Sequence, residues 1–351
     1  MELEITKIFQ DKLLEWYDNH ARILPWRDNP SPYRVWISEI MLQQTRVDTV
    51  KPYFEKFMKE VPTIKELAII TEDKLLKLWE GLGYYTRARN LKKAANMVLS
   101  NYDGEIPSNV EALQSLPGIG PYSSGAIASI AFGIKIPAID GNVLRVIARV
   151  MANKGDITNQ IVKKEIAEFV NRVLPVQRVG DFNQALMELG ATICLPTGIP
   201  KCSICPIQEI CQGYKLGIAT ELPLKAKKKT RKVQKKTVFV LHSNNRTAIR
   251  QRSEVGLLSN LWEFPHIEGH LSIEECEEVI RKWNISAQTI TPMSNCKHIF
   301  THLEWHLMGY FVLIDNIEES DFVWVTNDEI KKKYSIPTAF KAYVKYLFER
   351  K

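Results

Sequence analysis

Residues 113–142 read LQSLPGIGPYSSGAIASIAFGIKIPAIDGN. The pattern predicts a helix, a tight glycine-rich turn, a second helix and a short loop that carries an aspartate. Gly118 and Gly120 are expected to take backbone angles closed to other residues. Pro121 suits the first position of the new helix, where its missing N–H costs nothing. The N–H groups at that helix start, with the positive end of its dipole, make a site for a phosphate. Asp140 falls 20 residues past Gly120 and caps a further helix, GNVLRVIARVM.

Working outward, Ile8, Phe9, Leu13, Leu14, Trp16 and Tyr17 recur at helical spacing between Thr6 and His20. LPWR, Leu24 to Arg27, sits in a proline-rich loop. Tyr33 to Val50, YRVWISEIMLQQTRVDTV, reads as one helix whose apolar stripe includes Val35, Trp36, Ile40 and Val47. Glu39 lies beside that stripe, and carboxylates are seldom buried unless paired or functional. Helices continue through Lys51–Glu60, Thr63–Ala68 and Glu72–Trp79. GLGYYTRARNLKKAA, from Gly81, is a turn followed by a basic helix. Tyr84 and Tyr85 on that turn either pack on the core or stand exposed, where they would wedge between bases. The helix at Lys163–Val173 and FNQALMELGATIC complete a part, residues 1–216, that is nearly all helical.

The chain has 351 residues, enough for two or three domains of ~100–200 residues each. Lys and Arg exceed Asp and Glu by 47 to 40, a net charge of +7 that favours polyanion partners. No apolar run reaches the ~18 residues of a membrane span. The first residues, MELEITKIFQDKLLEWYDNH, form an acid-containing amphipathic helix rather than a secretory signal. The expectation is a cytoplasmic monomer.

Four of six cysteines, Cys194, Cys202, Cys205 and Cys211, lie within 18 residues as C-x7-C-x2-C-x5-C. Without a secretory signal such a cluster argues for metal rather than disulfides. By ligand type it suits zinc or a [4Fe–4S] cluster. From Lys225 to Lys236, KAKKKTRKVQKK, eight of twelve residues are basic, which predicts a self-repelling tether. Beyond it the period changes. TVFVLHSNNRTAIRQR reads as a hairpin about Asn244 and Asn245. HLEWHLMGYFVLI fits a strand, and Ile273–Trp283 and Thr338–Glu349 fit helices. The expected organisation is 1–216 all-α, 217–236 linker and 237–351 a small α+β domain.

LPWR, SEIMLQQTRV, EGLGYYTRARNL, LPGIGPY, DGNV and the four cysteines occur in the order found in the MutY family of adenine-removing DNA glycosylases, which this chain resembles over most of residues 20–215. The resemblance implies a helix-hairpin-helix core, with a six-helix barrel over about 26–132. A second part, from the N-terminal helix and 133–216, would carry one [4Fe–4S] cluster on the four cysteines; the first loop, LPTGIPK, is one residue longer than usual. It implies double-stranded DNA with an A:8-oxoguanine or A:G mispair as partner. Glu39 would protonate adenine, Asp140 would stabilise the cationic sugar, and Tyr122 and Asn142 would support that centre. An apolar setting would raise the Glu39 pKa, while hydrogen bonds and the helix dipole would keep Asp140 ionised. Trp26, Arg27, Leu42, Val47 and Gln184 would line the pocket for flipped adenine. Gln43, Gln44, Thr45, Leu82 and Tyr84, Gly118 and Gly120 of the turn, and Phe300, Thr301 and His302 would meet DNA and the opposite base.

Bifunctional relatives hold a Schiff-base lysine where this chain has Tyr122, which implies a monofunctional enzyme and disfavours a lyase. The presence of Glu39, Asp140 and the pocket set together disfavours a non-catalytic damage binder. The C-terminal domain, with WEFP at Trp262–Pro265, resembles the family's Nudix-like domain. EECEEVIRKW lacks the acidic core of a pyrophosphate hydrolase. HIFTH, His298 to His302, resembles the loop that senses 8-oxoguanine, with Thr301 in place of the usual serine.

Overall fold

The computed structural model describes residues 2–226, 230–315, 317 and 321–350. The chain forms two compact units. One comprises Met1–Ile69 and Arg89–Lys227, the other Ile70–Ala88 and Lys228–Lys351.

The described residues of the first unit are helical: α1 (Glu2–His20), α2 (Pro32–Leu42), α3 (Val47–Glu60) and α4 (Ile64–Ile69) precede the excursion into the second unit. That excursion carries α5 (Glu72–Trp79) and the start of α6 (Thr86–Asn101). The first unit resumes with α7 (Val110–Ser115), α8 (Pro121–Phe132), α9 (Gly141–Val150), α10 (Gln160–Val173), α11 (Val179–Thr192) and the short α12 (Gln212–Lys215). One core joins α1, α9, α10 and α11 through Phe9, Leu13, Val143, Val146, Ile147, Ile166, Val170, Phe182, Leu186 and Leu189, with i, i+3 and i+4 spacings along each helix. The α8 helix is buried along Ser123–Ser129. Its small residues allow that closeness: a Cβ on Gly125 would lie 2.5 Å from Pro137 O.

Three sequence expectations change here. The helix expected over Tyr33–Val50 breaks after Leu42; Gln44 takes a φ of 57° and α3 starts at Val47. Apolar periodicity continues across the break, so it could not reveal the turn. In the hairpin Gly118 has φ 83°, but Gly120 is extended at φ −96° and a Cβ there would meet nothing. Only the first glycine is demanded by conformation. The expectation of one helical part over 1–216 includes residues 70–88, whereas in the structure these residues pack with the second unit.

In the second unit β1 (Lys232–Ser243) and β2 (Arg246–Gln251) form the expected hairpin, with Asn244 and Asn245 at φ 47° and 63°. The sheet continues with β3 (Trp262–Glu263), β4 (His266–Glu268), β5 (Ala287–Ile299), β6 (Leu303–Ile314) and β7 (Val323–Thr326). The path is β3-β2-β1-β6-β5, with β4 on β1 and β7 on β2. The β1 and β6 strands pair in parallel. Alternation along β1 divides two cores. Phe239 and Leu241 face α13 (Ile273–Lys282) through Cys276 and Ile280. Val238 and Val240 share a core with Phe340, Tyr343 and Leu347, the last two on α15 (Lys341–Glu349), which follows α14 (Asn327–Lys332).

The tether is shorter than 217–236. Leu224 accepts from Ile157 N–H at 3.1 Å and Ala226 N–H donates to Asp156 at 3.0 Å, while Lys232–Lys236 already belong to β1. Lys236 is buried, with Nζ 5.1 Å from the Trp305 ring, because a lysine stem can cover apolar surface. Residues 227–229 of the tether lie outside the described residues.

Gly118→Ala would combine a left-handed φ with a Cβ 2.9 Å from Asn90 Cβ. The expected cost is about 1–3 kcal/mol, read as a lower urea midpoint for the helical unit; Gly120→Ala, free of both problems, should leave that midpoint within error.

Candidate active site

Glu39 sits on α2, whose N-cap Ser31 accepts from Arg34 N–H and whose first residue is Pro32. The helix is buried from Val35 to Met41, and Glu39 is only 5% exposed. Tyr122, one residue into α8, donates its O–H to Glu39 Oε2 at 2.5 Å. Burial raises the Glu39 pKa to about 7, aided by the charge of Asp140 and opposed by the Tyr122 hydrogen bond and Arg27. The same burial and the adjacent carboxylates push the Tyr122 hydroxyl well above its usual range, so it remains a donor.

Asp140 is the N-cap of α9. Its Oδ1 accepts from Val143 N–H and its Oδ2 from Asn142 Nδ2, both at 2.7 Å. These bonds favour the anion, yet burial outweighs them and the pKa is raised. The sequence expectation, that hydrogen bonds and the dipole keep Asp140 ionised, names the two lowering influences and leaves out the burial that opposes them. The sequence displays the cap but not the depth at which it lies. Asn142 Oδ1 accepts from Arg145 at 2.9 Å, and Arg145 also donates to Gly190 O at 2.8 Å and Cys194 O at 2.9 Å. A Cβ on Gly190 would stand 2.6 Å from Asn142 Cβ, so α11 and α9 approach there at backbone distance.

Both carboxylates line one cleft of about 550 Å³, within the ~300–1,000 Å³ usual for small-molecule sites. Trp26, Arg27, Leu42, Gln43, Gln44, Thr45, Val47, Gly120, Tyr122, Asn142 and Gln184 line it as well. Gln43 Nε2 donates to Ser123 Oγ at 3.1 Å, and the Trp26 ring packs edge-on against Phe54 at 5.5 Å. Gly118 is not among the lining residues. Leu82, Tyr84, Phe300, Thr301 and His302 belong to the second unit. There Tyr84, at φ 48°, is 48% exposed, while Tyr85 and Leu82 are each 5% exposed. Of the two adjacent rings, that of Tyr84 is the exposed one. The Tyr84 hydroxyl lies 3.3 Å from Thr301 Oγ1, on the turn between β5 and β6.

Sequence reasoning missed Glu188. It is 1% exposed and lines the cleft, with Arg22 Nε and Nη2 donating to it at 2.5 and 3.1 Å and Arg27 Nη2 at 2.9 Å. Arg27 Nε in turn donates to Gln184 Oε1 at 3.1 Å, one turn back on α11. Burial raises the Glu188 pKa, but the two guanidiniums more than reverse that and hold it below the usual carboxylate range. The signal that exposed Glu39, an acid inside an apolar helical stretch, was present in ALMELG too.

Cys194, Cys202, Cys205 and Cys211 ring a second cavity, lined otherwise by Val146, Leu189, Ile193, Pro200 and Ile207 with Arg149. All four are free and partly buried. Arg149, 3% exposed, donates to Cys194 Sγ at 3.2 Å and to Leu195 O and Leu222 O, both at 2.9 Å. Burial and the neighbouring thiols push Cys205 up to about 12. Among the described residues no three of His, Cys, Asp and Glu converge to hold a single ion; the thiols instead surround a space. No helix among the described residues is long and apolar enough to cross a membrane.

A turn-linked helix pair, a capping aspartate after it and a cleft shared with a buried glutamate define a class. Residues 37–172 match the family model of HhH-GPD superfamily base excision DNA repair proteins, and residues 237–346 match the NUDIX domain. The solved structure of a thermostable thymine-DNA glycosylase is 31% identical, with a TM-score of 0.56 over 61% of this chain and 99% of its own. Adenine DNA glycosylase of Buchnera aphidicola subsp. Baizongia pistaciae is 35% identical over 314 residues, 89% of this chain and 88% of that protein. Adenine DNA glycosylase of Homo sapiens is 31% identical over 404 residues, 96% of this chain and 73% of that protein. The chain belongs to the adenine DNA glycosylase family.

A raised acid pKa makes the folded state hold a proton that the unfolded state releases. The resulting stability is present below the ordinary value of 4.5 and is lost as pH rises through about 7. Glu39→Gln keeps an acceptor for Tyr122 without the charge. Its unfolding free energy should match wild type below about pH 4 and exceed it by about 3 kcal/mol above about pH 8, measured by denaturant titration across pH.

Proposed function

We propose that this protein excises adenine mispaired with 8-oxoguanine or guanine in double-stranded DNA by hydrolysing its N-glycosidic bond. The observation that carries the reading is the protonatable Glu39, at about 7, in one cleft with the hydrogen-bonded Asp140. A purine leaves more readily as a neutral base, so protonated Glu39 supplies a proton to a ring nitrogen as the C1′–N bond breaks and its electrons pass to the base. The sugar becomes cationic, and the Asp140 carboxylate stabilises it. Water adds to C1′, its proton restores Glu39, and adenine and an abasic site are released. Tyr122 holds the Glu39 carboxyl in place, and Asn142 with Val143 N–H holds Asp140. Trp26, Leu42 and Val47 supply apolar contact for the flipped base, and Arg27 and Gln184 supply polar groups.

Tyr122 offers no amine, so strand cleavage through a Schiff base is not available from that position. Gly118 and Gly120 of the hairpin turn serve the phosphate backbone. The Phe300–His302 turn, with Thr301 beside Tyr84, reads the base opposite adenine, and Leu82 belongs to the same turn as Tyr84. The four cysteines suit a [4Fe–4S] cluster by donor type: they line one cavity, and the buried Arg149 guanidinium donating to Cys194 Sγ would offset the negative charge of a thiolate-bound cluster. Cys194, Cys202, Cys205 and Cys211 would hold the cluster, whose bonds to sulfur would brace the 194–211 loop; the chemistry of base removal needs no electron transfer.

Single-turnover adenine release from an A:8-oxoguanine duplex should fall by about 10³-fold or more in Glu39→Gln and Asp140→Asn. Wild type should lose rate as pH rises through about 7, where Glu39 loses its proton. Tyr122→Phe removes a bond that favours the Glu39 anion, so its rate should fall off at higher pH than wild type. Near wild-type release in both carboxylate variants would reject the assignment. Purified protein should carry iron and sulfide with visible absorbance, and Cys202→Ser should diminish all three together; zinc in their place would reject the cluster.

A further inference from the structure

The stretch Ile70–Ala88 is flanked on both sides by the first unit in sequence but belongs to the second in space. Charged groups hold it there. Lys77 Nζ, on α5, donates to Glu80 Oε2 at 2.6 Å, to Ile330 O at 2.9 Å and to Tyr334 O at 3.0 Å. Glu80 Oε1 accepts from Ile336 N–H at 2.8 Å, and Glu72 Oε1 accepts from Asn260 Nδ2 at 3.2 Å. Lys77 thus directs its three N–H bonds to one carboxylate and two carbonyls. Those carbonyls lie at and just beyond the C-terminal end of α14, where a cation is favoured. The Lys77 side chain is 16% exposed. An exposed i,i+3 pair contributes little, but here each charge also satisfies backbone groups that would lose a partner if the pair were cut.

The turn after Glu80 is fixed to the same helix. Gly81 and Gly83 take φ of 103° and 71°, which only glycine adopts easily. Arg87 donates to Leu82 O and Gly83 O, both at 3.1 Å, and its guanidinium lies 5.4 Å from the Trp79 ring and 5.5 Å from that of Tyr84. Tyr84 therefore projects from a turn that moves with α5, and its hydroxyl meets Thr301.

We propose that Lys77 and Glu80 are positioning residues for discrimination of the base opposite adenine. By locking α5 onto the Ile330–Ile336 turn they set Tyr84 against the Phe300–His302 turn, so that two probes over 200 residues apart in sequence reach the duplex as one body. The inference rests on the reading of the Phe300–His302 turn given above.

The test is single-turnover adenine release by the full chain from A:8-oxoguanine and A:G duplexes. Lys77→Met and Glu80→Ala should lower the ratio of the two rates roughly tenfold, through the 8-oxoguanine duplex, with the A:G rate unchanged. Lys77→Arg, which keeps charge and donors, should retain most of the preference. A ratio unchanged in both Lys77→Met and Glu80→Ala overturns the proposal. So does an equal fall on both duplexes, which marks a role in stability alone. A wild type indifferent to 8-oxoguanine removes the reading beneath the proposal, and that result appears before any variant is made.

Discussion

The structure depends on keeping one carboxyl group dry. Glu39 is buried on an apolar helix with a single hydroxyl, that of Tyr122, donating to it. In water its proton would leave near pH 4.5; here burial holds it to about 7. The requirement reaches outward. The α2 helix must be apolar around the acid, α8 must start where Tyr122 reaches it, and the hairpin turn must deliver α8 at that point. Gly118 makes the turn, Pro121 starts the helix, and small residues along α8 let its neighbours approach to backbone distance.

Asp140 is treated differently by the same core. It is also buried and its pKa is also raised. Yet it is a helix cap with two donors at 2.7 Å, and Asn142 is braced by Arg145. Two acids in one cleft thus differ in what solvates them, one by a phenol, the other by amides at a helix N-terminus. In the proposed reaction, that difference would let a pair of like side chains divide the roles of proton donor and anion. Glu188, lining the same cleft, shows a third solution: two arginines neutralise it, and one of these also carries the hydrogen bond to Gln184.

The second unit is built on other rules. Period-two alternation on β1 separates two cores, and Cys276 and Ile280 of α13 pack in one of them against the sheet. What this unit adds to the helical core is a turn, Phe300–His302, and a piece of the helical core's own sequence, Ile70–Ala88, packed beside it.

The local chemistry of the chain was legible without coordinates. Asp140 as a cap, the Asn244–Asn245 hairpin, Glu39 as an acid out of place and the four-cysteine spacing all depend on neighbours a few residues away, and the cap and the hairpin form where their signals lie. Folding in three dimensions decided the rest. The turn at Gln43–Arg46 interrupts an unbroken apolar stripe. The α5 segment changes units through carbonyls of residues 330–336. The β1 and β6 strands pair in parallel although about 70 residues separate them, and Asp140 lies deep enough for burial to outweigh its cap. These outcomes turn on burial and Coulomb interaction between segments distant along the chain, terms that no window of sequence contains.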